Sequence, residues 1–357
     1  MGCFPYLLLP KMAMKILIYI TICLFIGISN TIAQRQFITN QYVYDRFLMN
    51  PADAGGNSDC ITINGFFQKQ WFGTDLAPTT QLLSFQTQLT QGLGSGTYIY
   101  NDRNGHNKKL SLQQSFSTGV TLRENRRGFT TLSFGLSALL EQASLDQTSF
   151  NAPGGIPDPS ISGGVDRGFG FNLNSGVILR INKFNTGISA TNILPHNNPM
   201  YNSEWEPDLP MDLHFFASTS WKVADRDLYL EPIAYFRFNA QNDRRMDLNL
   251  KMYMPTPTPD IAIWSILMYR RTMDHQFGKD LGFATTLGMD YRSLSIGLEH
   301  QLGMTGAQRH YGSAMLLVAG YRFCTDRSKR AIPCSEASNG LGESSVAPKT
   351  RKSLFRR

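Results

Sequence analysis

The residue types able to do chemistry are present in this chain, but their spacing does not assemble a reaction centre. Gly92, Gly94 and Gly96 imitate a phosphate loop, yet they stand at a tight turn feeding a strand. No helix N-terminus follows to receive an anion, and no Lys-Ser/Thr pair follows the glycines. The histidines, His106, His196, His214, His275, His300 and His310, are scattered, without a His-x-x-x-His or Cys-x-x-Cys companion that would hold zinc. A hydrolase would need a Ser or Thr nucleophile beside His and an acid or amide. His300 next to Glu299 is the nearest approach to such a pair, but neighbours on a strand point to opposite faces. We therefore expect no enzyme, and assign no catalytic, metal or cofactor-binding residue and no cofactor.

The composition of the 357 residues narrows the class. Only 17% are charged, and the mean hydropathy of -0.22 is too low for a bundle of membrane-spanning helices. Aromatics make up 11% of the chain, and its 31 glycines point to many strands and turns. The net charge of +7 resides in the ends: residues 34 to 323 hold 24 basic and 24 acidic side chains. A neutral body excludes a nucleic-acid-tracking face, which needs cations spread over the folded domain.

Lys11 and Lys15 precede a nearly unbroken apolar run, Ile16 to Ile28, then Ser29-Asn30-Thr31-Ile32-Ala33 and polar Gln34-Arg35-Gln36. This order predicts a secretory signal peptide over 1–33, cleaved near Ala33, with Met12 or Met14 as the better start. No cysteine stands at the cleavage point, so no lipid anchor is expected.

Beyond Gln34 the dominant signal is alternation with period two. In 131–140, Leu132, Phe134, Leu136, Ala138 and Leu140 share one face, while Thr131, Ser133, Gly135 and Ser137 share the other. In 168–178, Phe169, Phe171 and Leu173 oppose Asn172 and Asn174. Such runs recur at 60–70, 80–90, 93–101, 110–122, 130–142, 168–180, 184–192, 212–223, 228–238, 246–254, 261–271, 280–290, 294–303 and 312–323. Most approach the length a tilted strand needs to cross a bilayer. Connections after odd-numbered runs are mostly long and those after even-numbered runs short. A soluble sandwich has no reason to segregate loop length, whereas an outer-membrane barrel keeps its periplasmic turns short. With no helix able to span, only a closed sheet satisfies every backbone group in lipid. The expected fold is thus all-β, an outer-membrane antiparallel barrel of about fourteen strands over 60–323. A pre-barrel segment, 34–59, precedes it and a basic tail, 324–357, follows. Trp71, Tyr98, Tyr100, Trp221, Tyr229, Trp264, Tyr269, Tyr291 and Tyr321 lie near run ends, where aromatic girdles form.

Ahead of the first strand stands QYVYDRFLMNPADAGG, residues 41 to 56. Here the sequence resembles the PorP/SprF family of type IX secretion system membrane proteins. The likeness rests on Gln41 and Tyr42, then Asn50, Pro51, Ala52, Ala54 and Gly55, with Asp53 where the family commonly has an aromatic residue. It continues through Gln70-Trp71, Gly92-Leu93-Gly94, Tyr98-Ile99-Tyr100-Asn101-Asp102, the run from Leu132 to Ala138, and Gly320-Tyr321-Arg322-Phe323. The resemblance implies an outer-membrane barrel working with periplasmic ring and motor components to move surface proteins, in some members linked to gliding. It implies as partners outer-membrane lipid, that periplasmic machinery and a secreted surface protein, and no nucleic acid. The rival reading is a diffusion channel or hydrophobic-ligand transporter.

The motif can also be read from its residues alone. Proline pushes Asn50 out of the helical region, Pro51 suits the first position of a turn, and Gly55-Gly56 can stop it. Tyr42, Tyr44, Phe47, Leu48 and Met49 then need burial, which the periplasmic mouth of a wide lumen would offer.

Removing Cys3 and Cys23 with the leader leaves Cys60, Cys324 and Cys334, an odd number in an oxidising compartment. Cys60 opens the first run and Cys324 closes the last, so a disulfide stapling the seam is one expectation. Pairing of Cys324 with Cys334 inside the tail is the other, and three reduced thiols the third. The tail carries Arg327, Lys329, Arg330, Lys349, Arg351, Lys352, Arg356 and Arg357 among Ser, Gly, Pro and Ala. It is expected to hang in the periplasm, where it could dock on an acidic partner or anionic lipid.

Overall fold

The computed structural model describes residues 40–55, 60–71, 76–90, 92–125, 128–150, 161, 163–194, 200, 209–223, 227–239, 243–258, 260–273, 280–304 and 313–324. Among the described residues the first elements are a single helical turn, α1 (Gln41–Tyr44), and two 3-10 turns, Arg46–Leu48 and Pro51–Asp53. Strands follow: β1 (Cys60–Gln70), β2 (Thr79–Thr90), β3 (Leu93–Asn104), β4 (Asn107–Asn125), β5 (Gly128–Asp146), β6 (Val165–Ile181), β7 (Phe184–Thr191) and β8 (Asp212–Thr219). The remainder are β9 (Trp221–Lys222), β10 (Tyr229–Asn239), β11 (Arg244–Pro255), β12 (Ile261–Thr272), β13 (Asp280–Tyr291), β14 (Leu294–Gly303) and β15 (Ala314–Cys324). β8 and β9 both pair with β10 in one continuous register, interrupted at Ser220, so together they form one stave. Each stave pairs antiparallel with its sequence neighbours, and β15 pairs with β1. The expected fourteen-stranded closed barrel is therefore what forms.

Closure leaves two faces with opposite chemistry. The outward face is apolar: Phe67, Leu83, Ile99, Phe116, Phe134, Leu140, Phe171, Leu287 and Leu298 are all exposed, with Leu136 at 68% and Phe169 at 78%. A belt of this kind is tolerable only against lipid. The alternate positions turn inward and are polar: Gln68, Ser84, Gln113, Ser115, Asn174, Arg180, Glu231, Asp247 and Glu299 are buried. The period-two reading of 131–140 holds residue by residue, Phe134, Leu136 and Leu140 facing out while Ser133 and Ser137 face in.

One rim collects the longer connections, 71–78, 147–164, 192–211, 273–279 and 304–313, together with the short turns at 105–106 and 240–243. The other rim has 91–92, 126–127, 182–183, 223–228, 256–260 and 292–293, and both ends of the barrel, Cys60 and Cys324. By loop length the first is the outer rim and the second the periplasmic one. The structure departs from expectation between β3 and β4. A loop was anticipated over 102–109, but the strands run on to a two-residue turn at Gly105 and His106, with Gly105 at φ 62°. Arg103, Lys108 and Lys109 read as loop residues by their charge; they belong to a wall that rises above the apolar belt, where charge costs nothing.

Candidate functional site

Residues 40–55 lie inside the barrel, bonded to inward-facing residues of the wall. Asn50 has extended backbone, φ -137° and ψ 108°, as a residue before proline must, and its side chain accepts a hydrogen bond from the Ala52 amide at 3.0 Å. That caps the turn Pro51–Asp53, with proline at its first position. The amide of the same Asn50 donates to the carbonyls of Val177 (3.3 Å) and Ile188 (3.2 Å), tying the turn to β6 and β7.

The small residues after it lie against a wall stripped of side chains. A Cβ on Gly135 would fall on Pro51 and Ala52, one on Gly94 on the Ala54 carbonyl, and one on Gly176 on the Asn50 side chain. Wall hydroxyls and amides then hold the docked backbone: Ser117 Oγ donates to the Ala54 carbonyl (2.6 Å), Ser189 Oγ to that of Met49 (2.6 Å), and the Gly55 amide to Gln86 Oε1 (3.1 Å). Asp53 forms an ion pair with Arg180, which also donates to Ser133 Oγ at 2.8 Å.

Further along the segment, buried polar groups meet polar partners on the wall, as a desolvated network requires. Gln41 Nε2 donates to Gln68 (2.9 Å), Gln68 to Gln301 (3.3 Å) and Gln301 to Glu299 (2.7 Å); Glu299 also accepts from Asn40 and from the Tyr44 hydroxyl (2.7 Å). The Tyr42 hydroxyl donates to Asp247 (2.9 Å), whose other partners are Arg245 and Arg270. Arg46 pairs with Glu231 at 2.9 Å. Asp45 accepts from Asn64 (2.9 Å), Ser84 (2.6 Å) and Gln86 (2.7 Å). Burial pushes its carboxyl up to about 6, against the Ser84 and Asn64 donors that hold it down and with the charge of Asp53 adding to the rise. Burial likewise pushes the Tyr42 and Tyr44 phenols well above the usual range, with the charges of Asp247 and Glu299 acting in the same direction.

Apolar contacts complete the fit. Tyr42 stacks on Tyr235 (4.4 Å between ring centroids), Tyr44 meets Trp264 edge-on (5.8 Å) and Phe47 meets Tyr98 (5.9 Å). Tyr98, Tyr100 and Trp264 are 3%, 0% and 2% exposed, so these three line the lumen and are not part of an interfacial girdle. Each sits on an inward position of its strand, and the segment supplies aromatic partners to Tyr98 and Trp264. Trp221, Tyr291 and Tyr321, at the inner rim, do face outward.

The segment reaches farther than the inner mouth. Gly55 lies beside Thr87 and Gly94 at the inner ends of β2 and β3, whereas Gln41 meets Gln68, and Asn40 meets Arg270, near the outer ends of β1 and β12. Of the motif residues singled out in the sequence, Gln41, Tyr42, Asn50, Pro51, Ala52, Ala54 and Gly55 all lie in this network. Trp71 stands apart, beyond the outer end of β1 with φ 53°. Cys60 is disulfide-bonded, and the residue opposite it in the closing register is Cys324. Cys334 and the tail cations Arg327, Lys329, Arg330, Lys349, Arg351, Lys352, Arg356 and Arg357 lie outside the described residues, as does the leader 1–33. Glu299 is buried inward and His300 exposed outward, so the two do not meet. Sequence reading missed the wall half of the site; its trace was charge at inward positions of predicted strands, as at Arg180, Glu231 and Asp247.

Residues 31–321 match the family model described as type IX secretion system membrane protein PorP/SprF. The chain belongs to the PorP/SprF family. As a PorP/SprF protein it is an outer-membrane component of type IX secretion, associated with that machinery and resident in the cell outer membrane. Among solved structures it is similar to the CymD monoaromatic hydrocarbon channel, with 11% identity over 83% of this chain and 96% of that one and a TM-score of 0.51. A Pseudomonas aeruginosa FadL homologue aligns at 11% identity over 75% of this chain and 89% of that one, TM-score 0.45. At such identity only the barrel is shared. No curated protein sequence matches this PorP/SprF chain.

Proposed function

We propose that this PorP/SprF barrel is a non-enzymatic anchor of the secretion machinery, its lumen held shut by its own residues 40–55. The inner rim and the basic tail Arg327–Arg357 engage periplasmic ring or motor components, and the outer loops meet a secreted surface protein, gliding adhesins among the cargo class. Export proceeds through a signal peptide over 1–33, and a disulfide from Cys60 to Cys324 staples the seam. The observation that carries this reading is the matched network between 40–55 and the wall: a barrel that serves by open diffusion has no use for a plug bonded along nearly its whole length.

The test is a crosslinked pull-down of the tagged mature protein from outer membranes in mild detergent, with mass spectrometry of what is retained. Recovery of periplasmic ring components or a large surface protein supports the anchor. A barrel retrieved alone, conducting in planar bilayers, would replace the anchor with a diffusion channel. Deleting 327–357 while ring components still co-purify in full would remove the tail from the interface.

A further inference from the structure

The upper part of the wall over β2 to β6 presents an ordered change of chemistry on its outward face. Leu83, Ile99, Leu112, Leu140 and Phe171 stand opposite one another in register and form an apolar row. Two residues higher on each strand the row is Gln81, Asn101, Leu110, Gln142 and Phe169, mixed in character. Two residues higher again it is Thr79, Arg103, Lys108, Ser144 and Arg167. Three cations thus occupy one transverse line immediately above the lipid belt, and all three are exposed. They border an outward-facing hollow of about 680 Å³, also lined by Gln81, Asn101 and Gln142.

Among the described residues this line lacks a direct ion-pair partner. No acidic side chain among the described residues forms an ion pair with Arg103, Lys108 or Arg167. Asp146, the acidic residue bordering the hollow, is engaged by the amide (3.0 Å) and hydroxyl (2.5 Å) of Thr148. Lys109, by contrast, turns inward and pairs with Glu141 at 2.6 Å. The wall at this height therefore separates an ion-paired cation inside from cations outside that lack an ion pair among the described residues, Arg103 feeling only the nearby charge of Asp146. The strands bearing the line are β3 to β6, and adjacent strands lie about 4.8 Å apart, so the cations span roughly 14 Å.

We infer that this row binds the phosphorylated headgroup of an outer-leaflet glycolipid, its acyl chains lying on the apolar rows below. The width suits a headgroup with phosphates at both ends of a short sugar unit; Gln81, Asn101, Gln142 and Ser144 supply hydrogen bonds to the sugar between them. Lipid, and not free phosphate, is the occupant the layering selects, because the anion site and the apolar rows are continuous on one face. The placement rests on the outer rim being the one with long loops.

The test uses the full mature chain in mild detergent, offered a diphosphorylated lipid A and its dephosphorylated form, with retained lipid read by native mass spectrometry. Wild type should retain the phosphorylated lipid at least about tenfold more strongly, as expected for several cations acting at a membrane surface. The variant R103Q/K108Q/R167Q should lose that preference, while K109Q, which removes a neighbouring inward charge, should keep it. Heat-modifiable gel migration confirms that each variant is a closed barrel. Equal retention of both lipids by wild type, an unchanged preference in the triple variant, or displacement of the lipid by inorganic phosphate would each overturn the assignment.

Discussion

Ala54 places its carbonyl oxygen where a side chain on Gly94 would have to stand. The same intimacy recurs between Gly135 and the Pro51–Ala52 peptide, so the plug fits only because these wall positions lack a Cβ. Gly135→Val should therefore undock residues 50–55 at a cost of about 1–3 kcal/mol, the usual price of overpacking. Hydrogen exchange in a lipid nanodisc checks this: amides of 41–55 should exchange faster while those of the barrel wall stay protected. Unchanged protection of the segment would show that the wall can shift to accommodate the methyls.

Docking should depend on pH through Asp45. Its carboxyl is raised from 3.8 to about 6 by burial, so the docked state holds the proton more tightly than the released one. Its contribution is then most favourable below about pH 4 and declines as pH rises through 4 to 6. Above that window the docked, charged carboxylate carries the full penalty, about 3 kcal/mol. Protection of 41–55, corrected for intrinsic exchange, should be higher at pH 5 than at pH 7.5, and Asp45→Asn should flatten that slope. The Asn64, Ser84 and Gln86 side chains that face Asp45 do not titrate in this range.

Arg180 and Asp53 are a buried ion pair, 11% and 6% exposed. Removing one partner strands the other in a dry lumen, whereas removing both does not. Arg180→Ala should weaken docking by about 3 kcal/mol, and Arg180→Ala with Asp53→Ala by clearly less. A double-mutant cycle on exchange protection measures the difference; additive effects would mean the pair is already solvated.

The seam between β1 and β15 begins at Cys60 opposite Cys324. Non-reducing peptide mapping of the mature protein should recover these two cysteines in one crosslinked peptide, with Cys334 free. Reduction should lower the midpoint of barrel unfolding while leaving the docked segment in place, since that segment is also held by β2, β4, β6 and β10 to β14, away from the seam. A Cys324–Cys334 peptide, or three free thiols, would dismiss the staple.

The barrel was legible in the sequence because lipid imposes strict alternation: outward positions such as Phe134 and Leu136 must be apolar, and inward ones such as Ser133 and Ser137 are free to be small and polar. The docked segment was legible as an element needing burial through Asn50, Pro51 and its aromatic residues. What sequence could not supply was the partner of each group. Nothing local in Gly135 distinguishes a glycine that receives Ala52 from one that eases a strand, and Tyr98 and Trp264 carry the same letters whether they face lipid or lumen. The extension of β3 and β4 escaped for a related reason: charge near a strand end signals a loop, unless the strand has already left the membrane.

The docked segment precedes β1, and β1 is one side of the seam that joins the two ends of the sheet. Its contacts run to β1, β2, β4, β6, β10, β11, β12, β13 and β14, so it touches staves formed early and late along the chain. A cylinder cannot easily admit sixteen ordered residues after it is shut. That geometry favours enclosure of the segment as the sheet curls, with strands from both halves of the chain meeting its polar groups. In that sense residues 40–55 act as a former around which the cylinder is wound, tying staves from both ends of the chain to one axis.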